Sequence, residues 1–328
     1  MHEWEYLKPS FEDLMTIIRT LPKDAQCFHL HGSFGDVYMQ LAALQEIATE
    51  GNQITVIIDP RYETLAKLAL ERRCTLFYWN GPAVNSILTN IRINVRSNGY
   101  PIRLLPTLYP YIPECILSRK LKYIDFLRIL TNSSKQGSLP EIETDPNLKA
   151  EAASRLASVG LPIGKTAILS ADNNSQVELP DFFWHSVIKI VESLGWEVGI
   201  NSSGNLASKG AKWLAKFNKS QIDIPPHLAI TIPQVAGCYF SGTNGFATLQ
   251  AHFNRGGRGF HFINGYHAHG GKIRDKGGNL VDVESFYHEN MFLTDRMSNQ
   301  TELYVDANTI YGVLEEAISS VLRDAVLY

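Results

Sequence analysis

Residues 241–245 read Ser241-Gly242-Thr243-Asn244-Gly245 and stand between a short apolar stretch, Cys238 to Phe240, and a helical pattern with Phe246, Leu249 and Phe253 on one stripe. Two hydroxyls, a carboxamide and two glycines at a helix start offer backbone N–H groups to an anion, and a diphosphate suits them. The same residues make an ordinary Ser/Thr/Asn cap, and spacing leaves both readings open. A second turn, His31-Gly32-Ser33-Phe34-Gly35-Asp36, follows the apolar stretch Cys27 to Leu30. It lacks the G-x-G-x-x-G spacing, so a dinucleotide fingerprint is not supported. Its glycines let a substrate approach the backbone closely, and Asp36 is either a ligand-side carboxylate or the N-cap of the next helix. Asp172-Asn173-Asn174-Ser175-Gln176 and Asn201-Ser202-Ser203-Gly204 complete the set of polar loops that follow strand-like stretches. The first of these can meet a ligand or be a plain solvated loop.

These loops need strands behind them. Ile54 to Ile58 and Cys74 to Tyr78 alternate with helical patterns at Val37 to Ile47 and Tyr62 to Leu70. Strand, helix, strand at this spacing predicts a parallel sheet with crossover helices. The pattern restarts at Ala167 to Ser170, continues through a helix opened by Pro180, then Trp196 to Ile200, Cys238 to Phe240 and Gly259 to Ile263. Residues 98–113, with Pro101, Pro106, Pro110 and Pro113, cannot be regular helix. The expected class is therefore α/β, with two Rossmann-like, doubly wound domains. We expect one over 1–150, a second over 151–305 with a linker from Asp145 to Gly164 at its start that carries a helix at Leu148 to Ser158, and a C-terminal helix over 306–328 that packs back on the first. In such sheets ligands bind at the carboxyl ends of the strands.

Composition narrows the function. The chain has 328 residues, 45% hydrophobic and 19% charged, enough for two cores. A net charge of -3 argues against a nucleic-acid partner. The four cysteines, Cys27, Cys74, Cys115 and Cys238, have no C-x-x-C spacing and fit reduced thiols of a cytoplasmic protein. Met1 to Ser10 has no apolar leader region, and no run approaches a membrane span, so membrane contact is at most peripheral. His261, His267 and His269 suggest zinc, but no carboxylate or cysteine completes a recognised spacing; no metal is expected.

Three segments together carry a family resemblance. Gly35-Asp36-Val37 with Leu41-Ala42-Ala43-Leu44 resembles the G-D-V/I-x-x-x-x-P-A-L signature of the bacterial lipopolysaccharide heptosyltransferases. Leu179-Pro180-Asp181-Phe182-Phe183-Trp184 is similar to their W-P-x-x-x-W helix start. Ser241 to Leu249 resembles their S-x-D-T-G-x-x-H-L segment. The matches come in the family's order and span both halves.

The resemblance implies a GT-B fold, with two Rossmann-like domains facing a central cleft and a role in bacterial-type glycan assembly. It implies a glycosyltransferase that inverts configuration and needs no cofactor or metal. Its partners would be a nucleotide-sugar donor and a glycan or other hydroxyl acceptor. Asp36 would be the catalytic base, beside an acceptor site at Gly32, Ser33, Phe34 and Gly35. Donor contacts would come from Ser241, Gly242, Thr243, Asn244 and Gly245, with Ser202, Ser203, Asp172 and Asn173. The sequence departs from the pattern at Ala42, Val177, Leu179, Thr243 and Thr248, which replace proline, lysine, tryptophan, aspartate and histidine. ADP-heptose is therefore not carried over as the donor. Lys272, Arg274 or Lys276 can supply the lost cation or belong to a solvated loop. Arg92, Arg96, Arg103, Arg119, Lys120 and Lys122 fit an anionic acceptor or a solvated face. A nucleotide-sugar epimerase and a non-catalytic binding or scaffold protein are the alternative functions.

Overall fold

The computed structural model describes residues 3–21, 26–32, 34–48, 54–70, 73–81, 99, 102–105, 123–133, 145–171, 179–203, 215–242, 244–253, 257–265, 272–274, 280–282 and 300–323. They fall into two compact units: residues up to Leu105 with 124–133 form the first, and those from Asp145 onward the second.

In the first unit, β1 (Cys27–His29), β2 (Ile54–Ile58), β3 (Cys74–Tyr78) and β4 (Ile102–Leu104) form a sheet in the order β3-β2-β1-β4 among the described residues. All three pairings are parallel. Helix α1 (Glu3–Thr20) places Leu7, Leu14, Met15 and Ile18 in a cluster with Cys27, Ile57 and Ile102. Pro9 lies inside the helix, and Leu7, 4% exposed, extends the same apolar face by another turn towards the N-terminus. Helix α2 (Phe34–Ile47) links β1 to β2 and is apolar nearly all round, so it lies deep. Helix α3 (Glu63–Leu70) links β2 to β3, and α4 (Tyr123–Thr131) follows β4.

In the second unit, α5 (Pro146–Ser158) precedes β5 (Thr166–Ser170), followed by α6 (Asp181–Ser193), β6 (Glu197–Asn201) and β7 (Ser220–Ile222). Helix α7 (Thr231–Ala236), β8 (Gly237–Gly242), α8 (Gly245–Phe253) and β9 (Gly259–Asn264) come next. A hairpin of β10 (Lys272–Arg274) and β11 (Leu280–Asp282), β12 (Gln300–Val305) and α9 (Tyr311–Arg323) complete the described chain. The main sheet runs β12-β9-β8-β5-β6-β7, with every pairing parallel. Two strands follow β5 on one side and three on the other, the doubly wound Rossmann order. Its core stacks Phe240, Phe260 and Phe262 against Phe183 and Trp184 of α6.

The candidate linker carries the expected helix and clusters with the second unit: Ala152 and Leu156 are buried and α5 packs on α7. The C-terminal helix packs on α6, because Leu314, Ile318, Val321 and Leu322 form an apolar stripe that joins the second core. No helix among the described residues is long and apolar enough to cross a membrane.

Candidate functional site

In the first sheet the chain moves from β1 to β2 on one side, yet β4 pairs on the other side. The direction of winding therefore reverses at β1, and a ligand crevice is expected at its carboxyl end. The backbone leaving β1 there is held by α2. The His31 N–H donates to Gln40 Oε1 at 3.1 Å, and Gln40 Nε2 donates to the His31 carbonyl at 3.1 Å. Gln40 is 0% exposed and also reaches the Leu105 carbonyl after β4, at 3.5 Å. Gly32 follows at φ 119°, a conformation that side chains disfavour. Its carbonyl accepts the Tyr62 hydroxyl at 3.2 Å.

A cavity of about 610 Å³ opens at this edge. Its wall comes from His29 at the end of β1 with His31 and Gly32 just after it, from Asp59, Arg61 and Tyr62 after β2, and from Trp79, Asn80 and Gly81 after β3. All stand at strand ends because the three strands are parallel and in register. The indole of Trp79 is fixed by its N–H to the Ser10 carbonyl, 3.0 Å, and lies edge-on to His29. Gly81 lies against it: a Cβ at residue 81 would come 2.0 Å from Trp79 Cζ2. His29 is 1% exposed and stacks on His31, ring centroids 5.4 Å apart. Burial, helped by His31, pushes its pKa down to about 3, so the ring is neutral. Asp59 Oδ2 accepts from Arg61 Nε (3.0 Å) and Nη2 (2.8 Å). Burial opposes ionisation of Asp59, but these bonds win and hold its carboxyl below the usual range.

Asp36 lies in the first turn of α2, two residues after the helix begins, and is 8% exposed. It is not the N-cap of this helix, since that position precedes Phe34. A carboxylate here meets the positive end of the helix dipole. Tyr62 feels its charge: burial first, then the Asp59 and Asp36 carboxylates, outweigh Arg61 and push the phenol up to about 12.

In the second unit the winding reverses between β5 and β8, and a closed polar network fills that point. Ser241 Oγ donates within reach of the Ser170 carbonyl (3.3 Å) and Asn244 Oδ1 (3.0 Å). Asn244 Nδ2 donates to the Ser170 carbonyl at 3.3 Å, and Asn244 Oδ1 accepts the Ala247 N–H at 2.9 Å. Asn244 is thus the N-cap of α8. From β6, Asn201 Nδ2 reaches Ser170 Oγ at 3.3 Å, and Asn201 Oδ1 accepts the Ser203 N–H and hydroxyl. The network ties three strand ends together and fixes where the first turn of α8 points its N–H groups.

Among the expected site residues, Ser241 is 0% exposed and its hydroxyl is hydrogen-bonded inside the protein. The Asn244 side chain is committed to the cap. Gly35, Gly242, Gly245, Ser202 and Ser203 stand at strand or helix ends, as expected. His261 lies inside β9, 1% exposed, with Nδ1 3.9 Å from Glu302 Oε1. Ser33, Thr243, Asp172, Asn173, His267, His269 and Lys276 lie outside the described residues, as do the side chains of Phe34, Lys272 and Arg274. Sequence reasoning missed His29, Asp59, Arg61, Tyr62 and Trp79. Asp59-Pro60 stops a strand and Trp79 follows another, so carboxyl-end position was the available signal.

No protein-family model matches the chain, and no curated protein matches it. Solved structures do. An E. coli ADP-heptose LPS heptosyltransferase II is similar with a TM-score of 0.58 at 8% identity, over 91% of this chain and 98% of that one. A glycosyl transferase family 9 protein from Veillonella parvula DSM 2008 gives 0.55 at 10% identity, over 94% and 93%. The E. coli heptosyltransferase WaaC with ADP gives 0.52 at 12% identity, over 92% and 99%. The chain therefore has the α/β, GT-B-like fold of these sugar transferases, with its two Rossmann-like units.

Proposed function

We propose that this protein is a glycosyltransferase that moves a sugar from a nucleoside-diphosphate donor to a hydroxyl of a glycan or related acceptor, with inversion. The observation that carries the reading is fold likeness to a heptosyltransferase over 91% of this chain, with neither unit left out. One similar structure holds ADP, which supports a nucleoside diphosphate as the leaving group here.

The acceptor binds at the first unit, near Gly32 and Gly35, and the donor at the first turn of α8 in the second. The Asp36 carboxylate takes the proton of the acceptor hydroxyl as its oxygen bonds to the anomeric carbon. The bond from that carbon to the diphosphate breaks, and the diphosphate leaves with the electron pair. One base suffices for such a single displacement. The N–H groups at the start of α8, around Gly245, stabilise the charge that develops on the leaving group. Thr243, Ser202, Ser203, Asp172, Asn173 and Lys272 are the further donor contacts of this reading. The site of action is cytoplasmic.

The test is Asp36→Asn. A thermal-shift panel of nucleotide sugars first identifies the donor, because a ligand that binds only the native state raises the melting point. Transfer should then fall by about 10²–10⁴-fold while the variant stays folded. Near-normal transfer by a folded variant overturns the assignment.

A further inference from the structure

Gln40 is the point at which the turn proposed to hold the acceptor is tied to the helix proposed to carry the base. It is 0% exposed and stands four residues after Asp36, so the two side chains lie on one face of α2, a single turn apart. Its amide meets the backbone that leaves β1: Oε1 accepts the His31 N–H and Nε2 donates to the His31 carbonyl, each at 3.1 Å. Nε2 also comes within 3.5 Å of the Leu105 carbonyl, just beyond β4. One side chain thus ties α2 to the ends of both strands at which the winding reverses.

From His31 the backbone passes through Gly32, at φ 119°, and enters α2 at Phe34, two residues before Asp36. The helix is anchored independently of this turn. Val37, Leu41 and Leu44 are each 0% exposed, and Glu46 near its far end is paired with Arg128 of α4. Without the amide, the turn relaxes against a fixed helix, and the spacing between the acceptor-side backbone and the Asp36 carboxylate changes. A hydroxyl must sit within hydrogen-bond reach of its base, and a misplacement of about 1 Å can cost about 10²-fold in rate. We infer that Gln40 is a positioning residue for transfer: itself out of a ligand's reach, it sets the distance between the acceptor and Asp36. This rests on Asp36 as the base and on the first unit as the acceptor side of a glycosyltransferase.

The test is a double-variant cycle on the full chain, with Gln40→Met and Asp36→Asn made alone and together. Release of nucleoside diphosphate is followed with the nucleotide sugar that the thermal-shift panel identifies, per folded molecule and well below the melting point. Methionine keeps the length of the side chain and neither hydrogen bond. Gln40→Met should lower kcat by about 10–100-fold and leave the KM for the donor unchanged. In the Asp36→Asn background the same substitution should cost less than about threefold, because no base is left to align. If Gln40→Met does not fold, Gln40→Asn, one methylene shorter, draws the amide off the His31 backbone and runs the same cycle. A folded variant with parental kcat overturns the inference. So does a loss that is equal in both backgrounds or that appears in the donor KM, since either marks a role in stability alone. Failure of the base reading looks different: Asp36→Asn by itself then leaves release near normal, whatever the residue at position 40.

Discussion

Gln40 grips the backbone of His31 at both ends, accepting its N–H and donating to its carbonyl, each at 3.1 Å. The side chain stands one helical turn beyond Asp36, so the residue that shapes the cavity mouth and the proposed base share one rigid element. Replacing it by leucine leaves a buried N–H and a buried carbonyl unpaired. Gln40→Leu should destabilise the protein by about 2–4 kcal/mol, measured by chemical denaturation. A cost below about 0.5 kcal/mol would mean that solvent reaches the turn and that the grip does not matter.

Buried His29 makes stability depend on pH. Its pKa is about 3 in the folded chain and near 6.5 unfolded, so between these values the unfolded state binds more protons than the native one. Stability from this group is fully present above about pH 6.5 and falls by about 1.4 kcal/mol per unit as pH drops towards 3. His29→Gln should flatten that slope by the same amount in denaturation curves taken from pH 7 to pH 4. An unchanged slope would show that the native ring takes up a proton.

Much of this arrangement was legible in the sequence, and the failures share a cause. β2 and β3 were read to the residue because β-branched and aromatic runs are closed by Asp59-Pro60 and, past Tyr78 and Trp79, by Asn80-Gly81-Pro82. β12 was missed because its buried positions include Gln300 and Glu302, each 3% exposed, so no apolar alternation marks it. Gln300 is tolerated there because Tyr239 donates its hydroxyl to Oε1 at 3.1 Å, a partner 61 residues away. β4 is three residues long and begins just after Pro101, where only pairing with β1 defines it. The loops carrying Asp36 and Asn244 were found from their glycines. The cavity was not, because His29, Arg61 and Trp79 come together only through parallel pairing of β1, β2 and β3.

The ion pair between Glu46 of α2 and Arg128 of α4 is nearly sealed, with side chains 0% and 7% exposed and Nη2 to Oε1 at 2.6 Å. Arg128 Nε also reaches both Glu46 oxygens, Asp125 takes Nη1, and Ser133 donates to Glu46 Oε2. Removing one partner strands the other. Arg128→Met should cost about 3–5 kcal/mol, and adding Glu46→Leu should restore most of it, because an apolar pair fills the space without a buried charge. If the double variant is no more stable than the single one, polar bonds from Ser133 and Asp125, not stranded charge, set the cost.

Asn244 separates structure from donor binding. Its Oδ1 caps α8 through the Ala247 N–H, and Asn244→Asp keeps an acceptor there and suits the helix dipole. The amide bond to the Ser170 carbonyl is lost, so stability should change by no more than about 1–2 kcal/mol. A nucleoside diphosphate at that helix start would meet a new negative charge a few ångströms away. Its affinity should fall by about tenfold or more at low salt and recover partly at 0.5 M salt as screening grows. Isothermal titration with ADP and UDP would read this. Unchanged affinity in a variant that melts like the parent would place the donor's phosphates away from the first turn of α8.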